Sequence, residues 1–238
     1  MNGGILKNTE LRATARGLLL GKYGRIIFIH LTYLIINAYM NELTLQTRPG
    51  LSTTRLIMYI VLSIIVSLLA GVFRYGLTRC YMNLCCGMEF SFKDLLHGFK
   101  NDSVRILKLS AILAVIETVC FLPASYFLTA YENNRDASTF FFACLGLTLG
   151  MIVFVGFMLR LAFTYYLLLD FPDKSVTEII KMSAYLMKGN GLKMIYLFAG
   201  FIPVFSLGIL SAGIGLIWLI PYLEATLTCF YLNRVSNA

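Results

Sequence analysis

Apolar positions run through this chain in six long blocks, at about 26–41, 56–80, 104–130, 139–169, 192–210 and 212–233. An α-helix rises about 1.5 Å per residue, so roughly 20 apolar residues cross the hydrocarbon layer of a bilayer. The blocks therefore predict six transmembrane helices. The first is short, and the fourth is long enough to tilt. Only Gly208 and the Ser211-Ala212-Gly213 stretch divide the fifth from the sixth, which predicts a tight hairpin. The fold class that follows is an all-α, polytopic integral membrane protein in a single membrane domain, residues 1–238.

The segments between the blocks have a different period. Residues 175–188 begin with Ser175-x-x-Glu178, a capping box, and set Val176, Ile179, Ile180, Ser183, Leu186 and Met187 at helical spacing. Gly189 supplies a stop. Residues 90–99 and 9–20 have a similar pattern. All three read as short amphipathic helices, lying in the inner membrane interface or packed as ordinary cytoplasmic helices.

Aligned by role, the pieces repeat. Each unit is an amphipathic helix, a glycine with basic residues, one span, then a second span. The units are 8–82, 90–170 and 175–233. Each second span carries one ionisable residue with threonine four positions later: Arg74 with Thr78, Arg160 with Thr164, and Glu224 with Thr228. The expectation is a threefold, parallel repeat about an axis along the membrane normal.

Composition agrees with the pattern. Of 238 residues, 58% are hydrophobic and 13% charged, against about 25% charged in soluble domains. Mean hydropathy is +0.77. The formal net charge of +8 is unevenly placed. Lys7, Arg12, Arg16, Lys22 and Arg25 precede the first span; Arg79, Lys93, Lys100, Arg105 and Lys108 join the second to the third; Lys174, Lys181, Lys188 and Lys193 join the fourth to the fifth. Arg234 follows the last span, and the opposite side has only Arg48, Arg55 and Arg135. Basic loops stay in the cytoplasm, so both termini are expected inside a cell membrane. The basic excess points to anionic lipids at the inner face, with Arg12, Arg16, Lys22, Arg25, Lys188 and Lys193 at the interface, and not to nucleic acid. The first block follows about 25 mostly polar and basic residues without a small-residue cleavage site, so it reads as a retained helix.

Four ionisable residues lie inside the spans: Arg74, Glu117, Arg160 and Glu224. Each costs roughly 2.5–3.5 kcal/mol if unpaired at a helix centre. They sum to zero charge and lie at similar depth, so they are expected to form one buried network. Two roles stay open for it: glue between helices, or a gated polar site. Pro123, Pro203 and Pro221 fall in or near spans, where proline kinks a helix and frees carbonyls.

Catalytic and metal motifs are missing. There is no H-E-x-x-H, Walker loop, dinucleotide fingerprint or G-x-S-x-G elbow. His30 and His97 have no partner at metal spacing. Cys80, Cys85, Cys86, Cys120, Cys144 and Cys229 form no C-x-x-C pair and read as small packing residues. Asp170 and Asp173 flank Pro172 and read as a turn and cap element. Tyr165, Tyr166, Tyr222 and Tyr231 suit interfacial belts or polar packing. No enzyme, cofactor or metal is expected.

The last third carries a specific pattern. Asp170-Phe171-Pro172, Ser175 and Met187-Lys188-Gly189-Asn190 are followed by Gly213-Ile214-Gly215-Leu216-Ile217-Trp218-Leu219-Ile220-Pro221-Tyr222, Ala225-Thr226 and Phe230-Tyr231. This resembles the bacterial integral-membrane family known as domain of unknown function 975; the 95–99 stretch and Ala15-Arg16 fit it too, and Glu117 departs from it. The resemblance implies a multi-pass protein of the cytoplasmic membrane and brings no activity. Two functions remain. One is a transport-related module using the charged network. The other is a non-catalytic scaffold, immunity or regulatory protein that binds lipid or another membrane protein.

Overall fold

The computed structural model describes residues 6–46 and 53–237. Among these every regular element is a helix: α1 (Asn8–Leu19), α2 (Tyr23–Gln46), α3 (Thr53–Cys85), α4 (Phe92–Leu95), α5 (His97–Lys100), α6 (Ser103–Asn134), α7 (Ala137–Leu161), α8 (Thr164–Asp170), α9 (Val176–Met187), α10 (Gly191–Ala199), α11 (Ile202–Leu210) and α12 (Leu216–Val235). Six stretches are long and apolar enough to cross a membrane: Tyr23–Thr44, Thr53–Cys85, Ser103–Asn134, Ala137–Asp170, Gly191–Leu210 and Leu216–Val235. These are the six blocks of the sequence, extended at most ends by a few further residues. Arg48 lies outside the described residues.

Two spans are less regular than their sequence pattern. The fourth breaks between α7 and α8, and the fifth between α10 and α11. At the fifth, Pro203 has no N–H to continue the ladder. At the fourth there is no proline. Instead the Ser183 hydroxyl, from α9, enters the ladder. It accepts from the Phe163 N–H at 3.2 Å and donates to the Arg160 carbonyl at 2.8 Å. An inserted side chain of this kind is an established cause of a sharp kink.

The chain forms two compact units. The first comprises Met1–Leu34, Phe73–Asn101 and Arg160–Ala238; the second comprises Ile35–Val72 and Asp102–Leu159. In the second, α6 turns into α7 at Arg135, which is left-handed at φ 52°. Aromatic pairs then zip the two helices together: Tyr131 with Phe140, Phe127 with Phe142 and Phe121 with Phe154, at 5.0, 5.5 and 5.2 Å between ring centres.

The first unit is organised by the short helices. Their starts share one device. The residue before each helix donates its N–H to an acid on the first turn: Lys7 to Glu10 (2.9 Å), Ser91 to Asp94 (2.8 Å) and Ser175 to Glu178 (2.8 Å). A carboxylate there also meets the positive end of the helix dipole. These three starts are equally spaced along the chain, and the residue after each acid, Leu11, Leu95 or Ile179, is buried. After α1 and α9 the chain turns at Gly21 and Gly189, with φ of 75° and 76°, a region that side chains resist. The segment at 90–99 departs from the expected single helix. It forms two separate turns, α4 and α5, with Arg79 contacting Asp94 on one and His97 on the other.

Each short element packs on an earlier or later span of the same unit. The Leu95 carbonyl presses on α3 at Gly76, where a Cβ would stand 2.1 Å from that oxygen. Helix α9 packs on α8 through Ser183. Helix α1 packs on α12, where the Tyr222 hydroxyl donates to the Arg12 carbonyl at 3.2 Å.

Candidate functional site

The intramembrane charges were expected to meet, and two of them do. Arg74 on α3 faces Glu224 on α12 in a two-point ion pair. Nη1 donates to Oε1 at 2.7 Å and Nη2 to Oε2 at 3.0 Å. The two side chains are 30% and 14% exposed. The planar guanidinium matches the carboxylate fork, so the contact fixes orientation as well as charge. Thr78 and Thr228, four residues on, each donate a hydroxyl back to the carbonyl of the paired residue, at 2.8 and 2.9 Å.

The other two charges are placed differently. Arg160 is exposed, and its backbone carbonyl, not its guanidinium, receives the Ser183 hydroxyl. Thr164 is buried but donates to Leu161, three residues back, at 2.8 Å. The break at 162–163 causes this departure from the Arg74–Thr78 and Glu224–Thr228 geometry. Glu117 belongs to the second unit, where Ser67 is its side-chain hydrogen-bond partner.

A polar layer also fills the first unit. The Tyr81 hydroxyl and His30 Nδ1 are 2.7 Å apart, both residues buried. Tyr166 shares a 3.3 Å hydrogen bond with Thr228 and stacks on Tyr231 at 4.8 Å. The Tyr231 hydroxyl donates to Asp170 at 2.5 Å. Cys85 and Cys229 bring their sulfurs to 3.8 Å, linking α3 with α12 as packed thiols. Of the tyrosines read as belt or packing residues, Tyr166 and Tyr231 are buried packing residues.

The basic residues divide into two groups. Arg12 is a clasp. Its Nη2 donates to the Leu197 carbonyl at 3.1 Å, beside the α10–α11 break, and its guanidinium lies 4.9 Å from the Phe201 ring centre. Arg16 lies over Tyr222 and Arg25 over Phe90, both at 5.8 Å. Lys22 occupies the turn before α2, where its carbonyl accepts from Ile26. Lys188 and Lys193 are exposed at the end of α9 and the start of α10, and Lys193 reaches Asn190 at 3.4 Å.

Sequence reasoning did not find Ser183, Arg12 as a clasp, or the His30–Tyr81 contact. Ser183 had one signal, a small hydroxyl in the middle of an apolar helix face. Among the described residues, no group of three or more His, Cys, Asp or Glu could hold a metal ion.

The model of one protein family, described as protein of unknown function (DUF975), matches residues 1–238, and the chain belongs to that family. No curated protein and no solved structure matches it.

Proposed function

We propose that this member of the family is a non-catalytic membrane scaffold or regulatory module, which binds lipid or another membrane protein through its basic face. In this reading it sits in a bacterial cell membrane with both termini in the cytoplasm, and it is a threefold repeat of the units 8–82, 90–170 and 175–233. The observation that carries the reading is the Arg74–Glu224 pair. Both carboxylate oxygens meet both terminal guanidinium nitrogens, and the pair holds α3 to α12. A charge engaged in this way serves cohesion better than solute binding, which needs a vacant valence. The exposed Lys188 and Lys193 supply a surface suited to anionic headgroups.

The transport reading needs water to reach the pair, and thiol accessibility separates the two. Single cysteines replace Thr78 and Thr228 in a cysteine-free protein that keeps its thermal transition, with Lys188→Cys as the exposed control. A membrane-impermeant maleimide should label position 188 and leave 78 and 228 unmodified. Ready labelling at 78 and 228 in the folded protein overturns the scaffold reading and favours a water-filled transport path.

A further inference from the structure

Among the described residues, an open cleft of about 430 Å³ lies where α8, α9 and the end of α12 meet. Leu167, Phe171, Met182 and Val235 form its apolar lining; Lys181 and Tyr185 also border it. Lys181 and Tyr185 are exposed, Tyr185 to 73%. All of these residues belong to the first unit.

The side chains that wall the cleft on α9 have no counterpart on α1. Helices α1 and α9 have the same length, the same acid at their third position and the same glycine turn after them. Counted from their caps, the positions of Lys181, Met182 and Tyr185 correspond to Ala13, Thr14 and Gly17 on α1. The inward faces, in contrast, agree: Leu11, Ala15 and Leu19 are buried on α1, as are Ile179, Ser183 and Met187 on α9. Packing therefore does not demand the long side chains that wall the cleft.

We propose that this cleft binds a phospholipid with an anionic headgroup. Lys181 meets the phosphate, and the apolar lining takes the glycerol and the upper acyl chain. Charge complementarity selects this occupant. A lysine at the mouth of an apolar slot presents an ammonium to an anion while its stem lies along hydrocarbon. The nearest acid on α9, Glu178, is already engaged by Ser175 at 2.8 and 2.7 Å. Leu192 and Tyr196 of the next span are each 70% exposed, a composition typical of the lipid headgroup level.

This inference rests on the scaffold reading and names its ligand class. The test uses the full chain in detergent, with dihexanoyl-phosphatidylglycerol or dihexanoyl-phosphatidylcholine added, and follows the thermal transition. Phosphatidylglycerol should raise the transition saturably, and phosphatidylcholine should leave it nearly unchanged. Lys181→Gln should lose most of the rise, Met182→Trp should lose it by filling the slot, and Lys188→Gln should keep it. Equal rises with both lipids, an equal effect of the two lysine changes, or no rise at all would overturn the cleft. A missing lipid response beside unlabelled cysteines at 78 and 228 removes the cleft and leaves the scaffold reading standing.

Discussion

A single residue, Glu224, shows how far intramembrane charge constrains this protein. Its carboxylate takes two guanidinium bonds, so removing its charge leaves Arg74 in an apolar setting with one weak partner. Glu224→Gln is expected to cost about 3–5 kcal/mol of stability, measured by unfolding in mixed micelles. The exchange Arg74→Glu with Glu224→Arg should recover at least half of that loss. Ser183→Ala tests the second contact. It leaves the Phe163 N–H and the Arg160 carbonyl without the hydroxyl that joins them, for an expected loss of about 1–3 kcal/mol. These two residues also mark what sequence can and cannot show. Charges in an apolar block announce that they need partners, so Arg74 and Glu224 were legible. Helix depth alone does not choose among partners at similar depth, so the choice of Glu224 as the partner of Arg74 was not. Ser183 was not legible because a serine on a helix face looks the same whether it packs or enters a neighbouring ladder.

At the scale of the element, the six spans and the α1 and α9 helices were legible because local pattern dictates them. The break at 162–163 and the division of 90–99 were not, since tertiary contacts impose both. The cap of α9 gives a pH signature. Hydrogen bonds from the Ser175 hydroxyl, and then from its backbone N–H, hold the Glu178 carboxyl below its ordinary value of 4.5. A carboxyl lowered in the folded state stabilises it fully above that ordinary value. The contribution fades as pH falls through the lower folded value. The stability difference between the wild type and Glu178→Gln should therefore be constant near neutrality and shrink in acid, read as paired thermal transitions from pH 7 to pH 3. Gly76→Ala probes the other packing device. The new methyl would stand 2.1 Å from the Leu95 carbonyl, which is backbone and cannot swing aside. The cost should exceed the ~1–3 kcal/mol of ordinary overpacking, while Gly87→Asn, in open space at a left-handed turn, should cost little.

On the scale of the whole molecule, the order of packing in the first unit carries the most information. The short element that follows α3 packs back on α3, and α9, which follows α8, packs back on α8. Helix α1 packs on α12, far along the sequence. Each short element thus braces a span, and α1 does so across the longest sequence separation. Its hold is specific. The Arg12 carbonyl receives Tyr222, and the Arg12 guanidinium reaches Leu197 and Phe201 at the break in the fifth span. Two substitutions should therefore loosen two different breaks, one each. In hydrogen exchange, Arg12→Ala should speed exchange at 198–203 and leave 160–164 as it was, whereas Ser183→Ala should do the reverse. Removal of residues 1–20 should speed exchange at 198–203 and also along the α12 face around Tyr222, because both lose the α1 contacts. Uniformly faster exchange after either substitution would mean that the unit responds as one cooperative block, with no separate closures. Local, non-overlapping changes would mean that each short helix secures one span, and that α1 completes the set.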